Sequence, residues 1–433
     1  MPTSWSAQIA DRYHCELSPQ LVDWFDTEQW KQTSFGEFRE SVTPEQLLED
    51  APEVIWPGLM ACNLLPILGN NAGDWLCVSL NEQSVAKEIV HWYHGGGDWI
   101  PWGKQLAEAI AFDHLIDALP GPSLRHAIPA ENPRPTSPAS TTSRTHLDWA
   151  SEHLPSPISD LLESSHFDSR PDGIEIARLL IKHQIAEPAV QCEMVSFHLL
   201  ALSGSVEKSV RNKSDDLDRI AAWCFDLARM PKEYQRLVEQ ATDRELSQIQ
   251  NWELTEAHAR TITKLKPELA WGWDLVGYAA ERRGELDSAK SAYRRGAQCS
   301  VFSDQSVRLK THWMSDRSLK FSVARLAELD PDLVHQDPYL SLLCHREDNQ
   351  NDNPNASVTQ YWIERAAEFH DQGEFEEAVR CYMAAGWDVG AGPMPVYSQL
   401  LDSIANSAQK CGQHGREMLA RVHRHCLKDR YGI

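Results

Sequence analysis

Residues 69–102 read GNNAGDWLCVSLNEQSVAKEIVHWYHGGGDWIPW. The stretch opens with Gly69, Asn70, Asn71 and Gly73, which accept tight-turn and left-handed dihedrals at least cost. An apolar run follows from Trp75 to Leu80, rich in residues that suit a pleated, buried surface. A polar break, Asn81 to Ser84, separates it from a second run, Glu88 to Tyr93. Two such runs joined by a short polar loop predict an antiparallel hairpin. Gly95 to Gly97 end the second strand. Asp98, Trp99, Pro101 and Trp102 then carry the chain into a helix starting near Lys104 and running to about Leu119.

Working outward, Ala7 to Trp30 read as one or two helices. Ser18 is a good N-cap with Pro19 in the first helical position, and Leu21, Val22, Trp24 and Phe25 follow at helical spacing. Thr43-Pro44-Glu45 starts a further short helix by the same logic, with Leu47 and Leu48 inward, and Trp56-Pro57-Gly58 ends it. Short helices around a meander of strands predict an α+β domain over residues 1–120.

The order of these pieces resembles the SUKH superfamily, a divergent family that includes a yeast regulator of cell-wall synthesis and many bacterial immunity proteins. The matching residues are Leu65-Pro66-Ile67-Leu68, Gly73-Asp74-Trp75-Leu76-Cys77-Val78, Val90-His91-Trp92, the helix from Leu106 to Ile116, and the opening helix Leu17 to Phe25. One departure is clear. Where the family has an Asn-Gly turn after its first helix, this chain has Gln29-Trp30-Lys31-Gln32, and the segment from there to Pro57 is long and acidic. The resemblance implies a protein-binding domain. Bacterial relatives neutralise toxins by covering them.

Pro120-Gly121-Pro122 end the domain, and a Pro/Ser/Thr-rich stretch over residues 121–157 predicts an extended linker, with an ordered segment near Leu147 and Trp149 as the competing reading. From residue 158 to 433 the pattern is helical throughout. Ala177, Leu180 and Ile181 mark one apolar face, and Val195 and Leu199 another. Two stretches, near 252–299 and 358–387, resemble tetratricopeptide repeats. Trp273, Gly277, Gly284, Ala289 and Tyr293 hold the expected spacings in the first. Trp362, Ala366, Gly373, Ala378, Tyr382 and Ala385 hold them in the second. Trp252 to Leu265 reads as a helix of a degenerate preceding unit, with Ala257 at its small position. Val396 to Lys410 and Gln413 to Lys428 read as a closing helical pair. The expected fold class is an α+β domain joined to an all-α, tetratricopeptide-like region.

Composition narrows the function classes. The chain has 433 residues and a formal net charge of −22, which disfavours binding to a phosphate backbone. Residues 1–120 carry 5 Lys/Arg against 18 Asp/Glu, a balance of −13, and 8 of the 16 tryptophans. Acidic surface beside aromatic side chains suits a basic protein partner. The longest apolar stretch, Gly58 to Gly69, is broken by Asn63 and Pro66 and is too short to span a bilayer. The first residues, MPTSWSAQIADRYH, predict no signal peptide. Ten scattered cysteines predict reduced thiols and a cytoplasmic setting.

No phosphate loop, dinucleotide glycine motif or nucleophile elbow is present, so the sequence predicts no enzyme and no cofactor. His91 and His94 near Asp74, Cys77 and Asp98 are read as packing or surface residues, not as metal ligands. His423, His425 and Cys426 are read as part of a solvated basic face beside Arg421 and Arg424. The protein-binding candidates are Asp74, Glu88, Trp92, Asp98, Trp99 and Trp102. For the tryptophans among them a core role is favoured over a groove. The expected function is binding of a protein partner, such as a basic toxin, with a regulatory scaffold as the rival.

Overall fold

The computed structural model describes residues 4–34, 36–120, 145–164, 172–199, 217–303, 318–344 and 354–433. Their contacts divide into two compact units. The described residues of Met1–Ala118, Pro129–Ala189 and Asn355–Ile433 form the first, and those of Leu119–Ile128 and Val190–Pro354 the second.

The first unit is built on a five-stranded antiparallel meander in the order β1 (Glu40–Ser41), β2 (Leu64–Gly69), β3 (Trp75–Leu80), β4 (Ala86–Trp92) and β5 (Trp99–Gly103). The expected hairpin is β3–β4, in register from Trp75 opposite Trp92 to Ser79 opposite Glu88. The expectation placed no strand after Gly97, yet Trp99–Gly103 pairs with β4, with Pro101 opposite Val90. Proline is tolerated there because β5 is an edge strand and its missing N–H leaves no ladder bond unmade. Pro66 in β2, which is paired on both sides, sits instead at a register shift, where the ladder is locally interrupted.

Side-chain caps set the helix starts. Ser18 accepts from Leu21 N–H before the Pro19–Asp26 helix, and Ser4 accepts from Ala7 N–H before Trp5–Tyr13. Thr43 and Gln46 cap each other at Pro44–Leu47. The helix expected from Lys104 runs Leu106–Leu115 and tightens into a 3-10 turn over Ile116–Ala118. It covers one face of the sheet, with Phe112 edge-on to Trp102 at 4.9 Å.

In the stretch taken as a linker, the competing reading of an ordered segment near Leu147 and Trp149 is the one the described residues show. Residues 121–144 lie outside the described residues. Beyond them, Thr145 and Asp148 form a capping box and start a helix, His146–Glu152. Trp149 is wholly buried against Trp24, with ring centroids 5.1 Å apart. A tryptophan on a capped turn finds core even when its flanks are Pro- and Ser-rich.

The C-terminal helices belong to this unit as well. Phe375–Trp387, Met394–Lys410 and His414–Tyr431 pack in sequence, Trp362 and Ile363 of Pro354–Asp371 pack against their core, and the last helix lies against Trp5–Tyr13. Cys62 joins their core beside Trp387, Tyr397, Leu400 and Leu401. Polar contacts, these four among them, tie them to the strand-bearing part. Trp387 Nε1 donates to Leu59 O at 3.2 Å, Gly415 N to Ser84 Oγ at 2.8 Å, Arg430 Nη1 to Ile55 O at 2.6 Å, and Arg430 Nη2 to Pro52 O. The expected boundary between an N-terminal domain and one continuous helical region is thus not where contacts divide.

His423 and Cys426 are fully buried, not solvated. Arg421 is exposed and Arg424 half-exposed, because a turn of 3.6 residues puts them on other sides of the helix.

The second unit is all-helical where described. Its core hairpin pairs Ala270–Arg282 with Leu286–Ala297. Gly277 is required at the crossing, because a β-carbon there would lie 2.5 Å from Tyr293 Cε1. Gly284 makes the turn with φ +77°. Trp271 is the buried tryptophan of this hairpin. Trp273 is only half-buried, its indole donating to Pro267 O at 2.8 Å. The preceding helix, Trp252–Leu265, has the expected bounds, but its buried small residue is Ala259, and Ala257 is exposed.

Candidate protein-docking surface

The β2–β3 turn is organised by Asn70. Its Oδ1 accepts from Ala72 N–H at 3.0 Å and Asp74 N–H at 2.8 Å, and its Nδ2 donates to Glu37 at 2.8 Å. Gly73 supplies the left-handed residue at φ +84°. Asp74 then reaches across to the end of β4, where Oδ1 accepts from His94 N–H at 2.8 Å. Its Oδ2 accepts from Asn70 Nδ2 at 3.2 Å and lies 3.9 Å from His91 Nε2. Burial acts to raise the Asp74 carboxyl. The contacts with His91, the His94 N–H and Asn70 outweigh it and hold the group below the usual carboxylate range. Asp74 is a turn clamp with little capacity left for a partner.

The other five candidates separate. Trp92 is wholly buried in a cluster with Met60, Leu64, Cys77 and Val90. Trp102 is buried on the opposite side, edge-on to His91 at 4.6 Å and to Phe112. Asp98 is wholly buried in the Tyr93–Asp98 turn, which closes through Tyr93 N donating to Asp98 O at 2.7 Å. A side chain with no exposed surface touches no docked protein, so these three are not docking residues. Glu88 and Trp99 are half-exposed, Glu88 opposite Ser79 and Trp99 opposite Trp92. The six therefore form no single surface.

A run of exposed acidic residues lies elsewhere in the domain. Glu40, Glu45, Glu49, Asp50 and Glu53 are all exposed on β1, the Pro44–Leu47 helix and the turns after it. Arg12 is one cation beside them, with Nη2 3.3 Å from Glu49 O and 3.7 Å from Asp50 Oδ1, and Arg430 is another, on the carbonyls of Pro52 and Ile55. Asp50 remains almost fully exposed in that pair, so the attraction is solvent-screened and holds it weakly. The signal for this patch was the acidic run before Pro57; the hairpin drew attention because it carried the tryptophans.

Among the described residues no group of three or more His, Cys, Asp or Glu could hold a metal ion. His91 stacks on Tyr93 at 3.9 Å, and His94 lies edge-on to Trp56 at 4.3 Å. Burial lifts the Cys62 thiol to about 12 and the Cys77 thiol well above its ordinary value, which keeps both protonated and unreactive. Among the described residues no helix is long and apolar enough to cross a membrane. No protein-family model matches the chain, and no curated protein or solved structure matches it.

Proposed function

We propose that the chain is a protein-binding protein and not an enzyme, and that it captures a basic partner on the acidic surface of its N-terminal α+β part. The observation that carries the reading is the run of five exposed carboxylates from Glu40 to Glu53, beside which lie three described cations, Arg12, Arg39 and Arg430. Such a surface attracts a cationic protein at long range and aligns it before contact. The resemblance to the SUKH superfamily adds the partner class: a basic toxin that acts on an anionic substrate and is neutralised by being covered.

A second reading is favoured by the burial of Trp92, Asp98 and Trp102, which removes three candidate anchors from the hairpin. In it the chain is a regulatory scaffold, and its tetratricopeptide-like helix hairpins hold the partner.

The test uses the full chain, tagged, to capture a partner that is then identified by mass spectrometry. Its affinity is measured again with Glu45, Glu49, Asp50 and Glu53 changed to Lys. A basic partner lost by that variant supports capture by the acidic surface. A partner that is neutral or acidic, and is retained, leaves the scaffold reading.

A further inference from the structure

In the second unit, the short turn Leu227–Arg229 faces the end of the Ala270–Arg282 helix across a cleft of about 400 Å³. The cleft is lined by Asp226, Ala228, Arg229, Tyr278, Glu281, Arg282 and Arg283. For a chain of net charge −22, three arginines against two carboxylates is an inversion of the general balance.

The floor is built. Asp226 and Tyr278 are each only 1% exposed. Tyr278 Oη donates to Asp226 Oδ2 at 3.3 Å and accepts from Arg229 Nη1 at 3.1 Å. The same Asp226 Oδ2 accepts from Arg282 Nε at 2.9 Å. One buried carboxylate and one buried phenol thus hold two guanidiniums from different elements in a single hydrogen-bonded chain. The Trp252 ring, 5.0 Å from Arg282 Cζ, fixes that side chain further.

The charges of the remaining lining are already met. Arg283 binds Glu256 and Glu285, and Glu281 binds Arg325 and Tyr293 Oη. Arg229 and Arg282 differ. Among the described residues Arg229 spends one N–H, on Tyr278, and Arg282 spends only Nε, on Asp226. Toward the described residues, Nε and Nη2 of Arg229 and both Nη groups of Arg282 keep their donors. A carboxylate is satisfied by one guanidinium fork, whereas a phosphoryl group has three oxygens to share between two.

We propose that this cleft binds the phosphoryl group of a small ligand. Arg229 and Arg282 supply the donors, and Asp226 and Tyr278 position them. The site is independent of the acidic surface that carries the proposed protein binding.

The experiment titrates inorganic phosphate into the full chain at constant ionic strength, by calorimetry and by ³¹P line broadening, with acetate as the competing oxyanion. Saturable phosphate binding, weakened roughly tenfold or more in Arg229→Ala and partly restored in Arg229→Lys, is expected. Arg380→Ala, at an exposed arginine of the Phe375–Trp387 helix, leaves binding unchanged. Arg282→Ala breaks a pair with a buried carboxylate and can unfold the unit. Arg229 is exposed, so its variants decide the matter with thermal melts as the folding control. Absence of saturable phosphate binding, equal binding by Arg229→Ala, or acetate binding as tightly as phosphate each overturns the proposal.

Discussion

Trp149 donates its indole N–H to Asp23 Oδ2 at 2.7 Å, joining a helix that follows the Pro/Ser/Thr-rich stretch to the second helix of the chain. His153 Nε2 lies 3.4 Å from the same oxygen. Trp149 has no exposed surface, so it acts as core for the first unit. Trp149→Ala is expected to cost about 3–5 kcal/mol, through lost burial and the cavity left behind. Trp149→Phe keeps most of the packing and gives up the hydrogen bond, for about 1 kcal/mol. Urea melts of the two variants check this. Equal midpoints for both and for the parent would mean that Trp149 is not core.

Gly277 and Tyr293 make the closest crossing of the second unit's hairpin. Alanine at 277 gains about 1 kcal/mol of helix propensity but places its β-carbon in the Tyr293 ring. Gly277→Val gains less propensity and adds two methyls at the same contact, and should destabilise by about 1–3 kcal/mol. The double variant Gly277→Val with Tyr293→Leu should cost less than the two single variants added together, because the ring that clashes is gone. Calorimetric melts of the single and double variants read the coupling.

His423 is wholly buried, and among the described residues neither ring nitrogen has a hydrogen-bond partner. Burial, with Arg430 adding to it, lowers its pKa to about 3. His146 is lowered to about 4, chiefly by burial. Both are neutral in the fold and take up a proton on unfolding below the ordinary histidine value of about 6.5. Their contribution is therefore complete above that pH and is lost as pH falls toward 4 and 3. Stability should fall between pH 6.5 and 4 by up to ~1.4 kcal/mol per pH unit for each group. His423→Leu should flatten that slope by one proton. A parent-like slope in the variant would remove His423 from the account.

Arg430 holds the last helix to the carbonyls of Pro52 and Ile55. Arg430→Ala should destabilise the first unit by about 1–3 kcal/mol, the cost of leaving partly buried acceptors unmet. Trypsin cleavage near the C-terminus should quicken in step. No change in either measurement would mean that the helix is held by its apolar face alone.

Local chemistry was readable from the sequence where a single residue type decides the backbone. Ser18-Pro19, Thr43-Pro44 and the Asn70–Gly73 turn all start or turn elements as expected, and β3 has the expected bounds. β5 was not readable, because Pro101 and three preceding glycines look like loop unless one knows that the strand is an edge. Order at Trp149 was readable only as the competing alternative, because its flanks set composition but not burial. His423 was legible and misread: Leu419, Ala420, Val422, Cys426 and Leu427 are buried with it at helical spacing, yet the arginines between them drew the assignment outward. The candidate site suffered from a different limit. Alternation along β4 and β5 shows that neighbours face opposite ways, but whether both faces are covered depends on Leu106–Leu115 and on the segment around Met60, contacts that no local pattern reports.

The most direct test of capture by the acidic surface is the association rate of the full chain with its protein partner as salt rises from about 50 mM to about 500 mM, set beside the Glu45, Glu49, Asp50 and Glu53 to Lys variant. The account predicts a steep fall in the parent's on-rate, a smaller change in its off-rate, and a variant that starts slow and responds little to salt. An on-rate indifferent to salt, with the variant binding as fast as the parent, would contradict it.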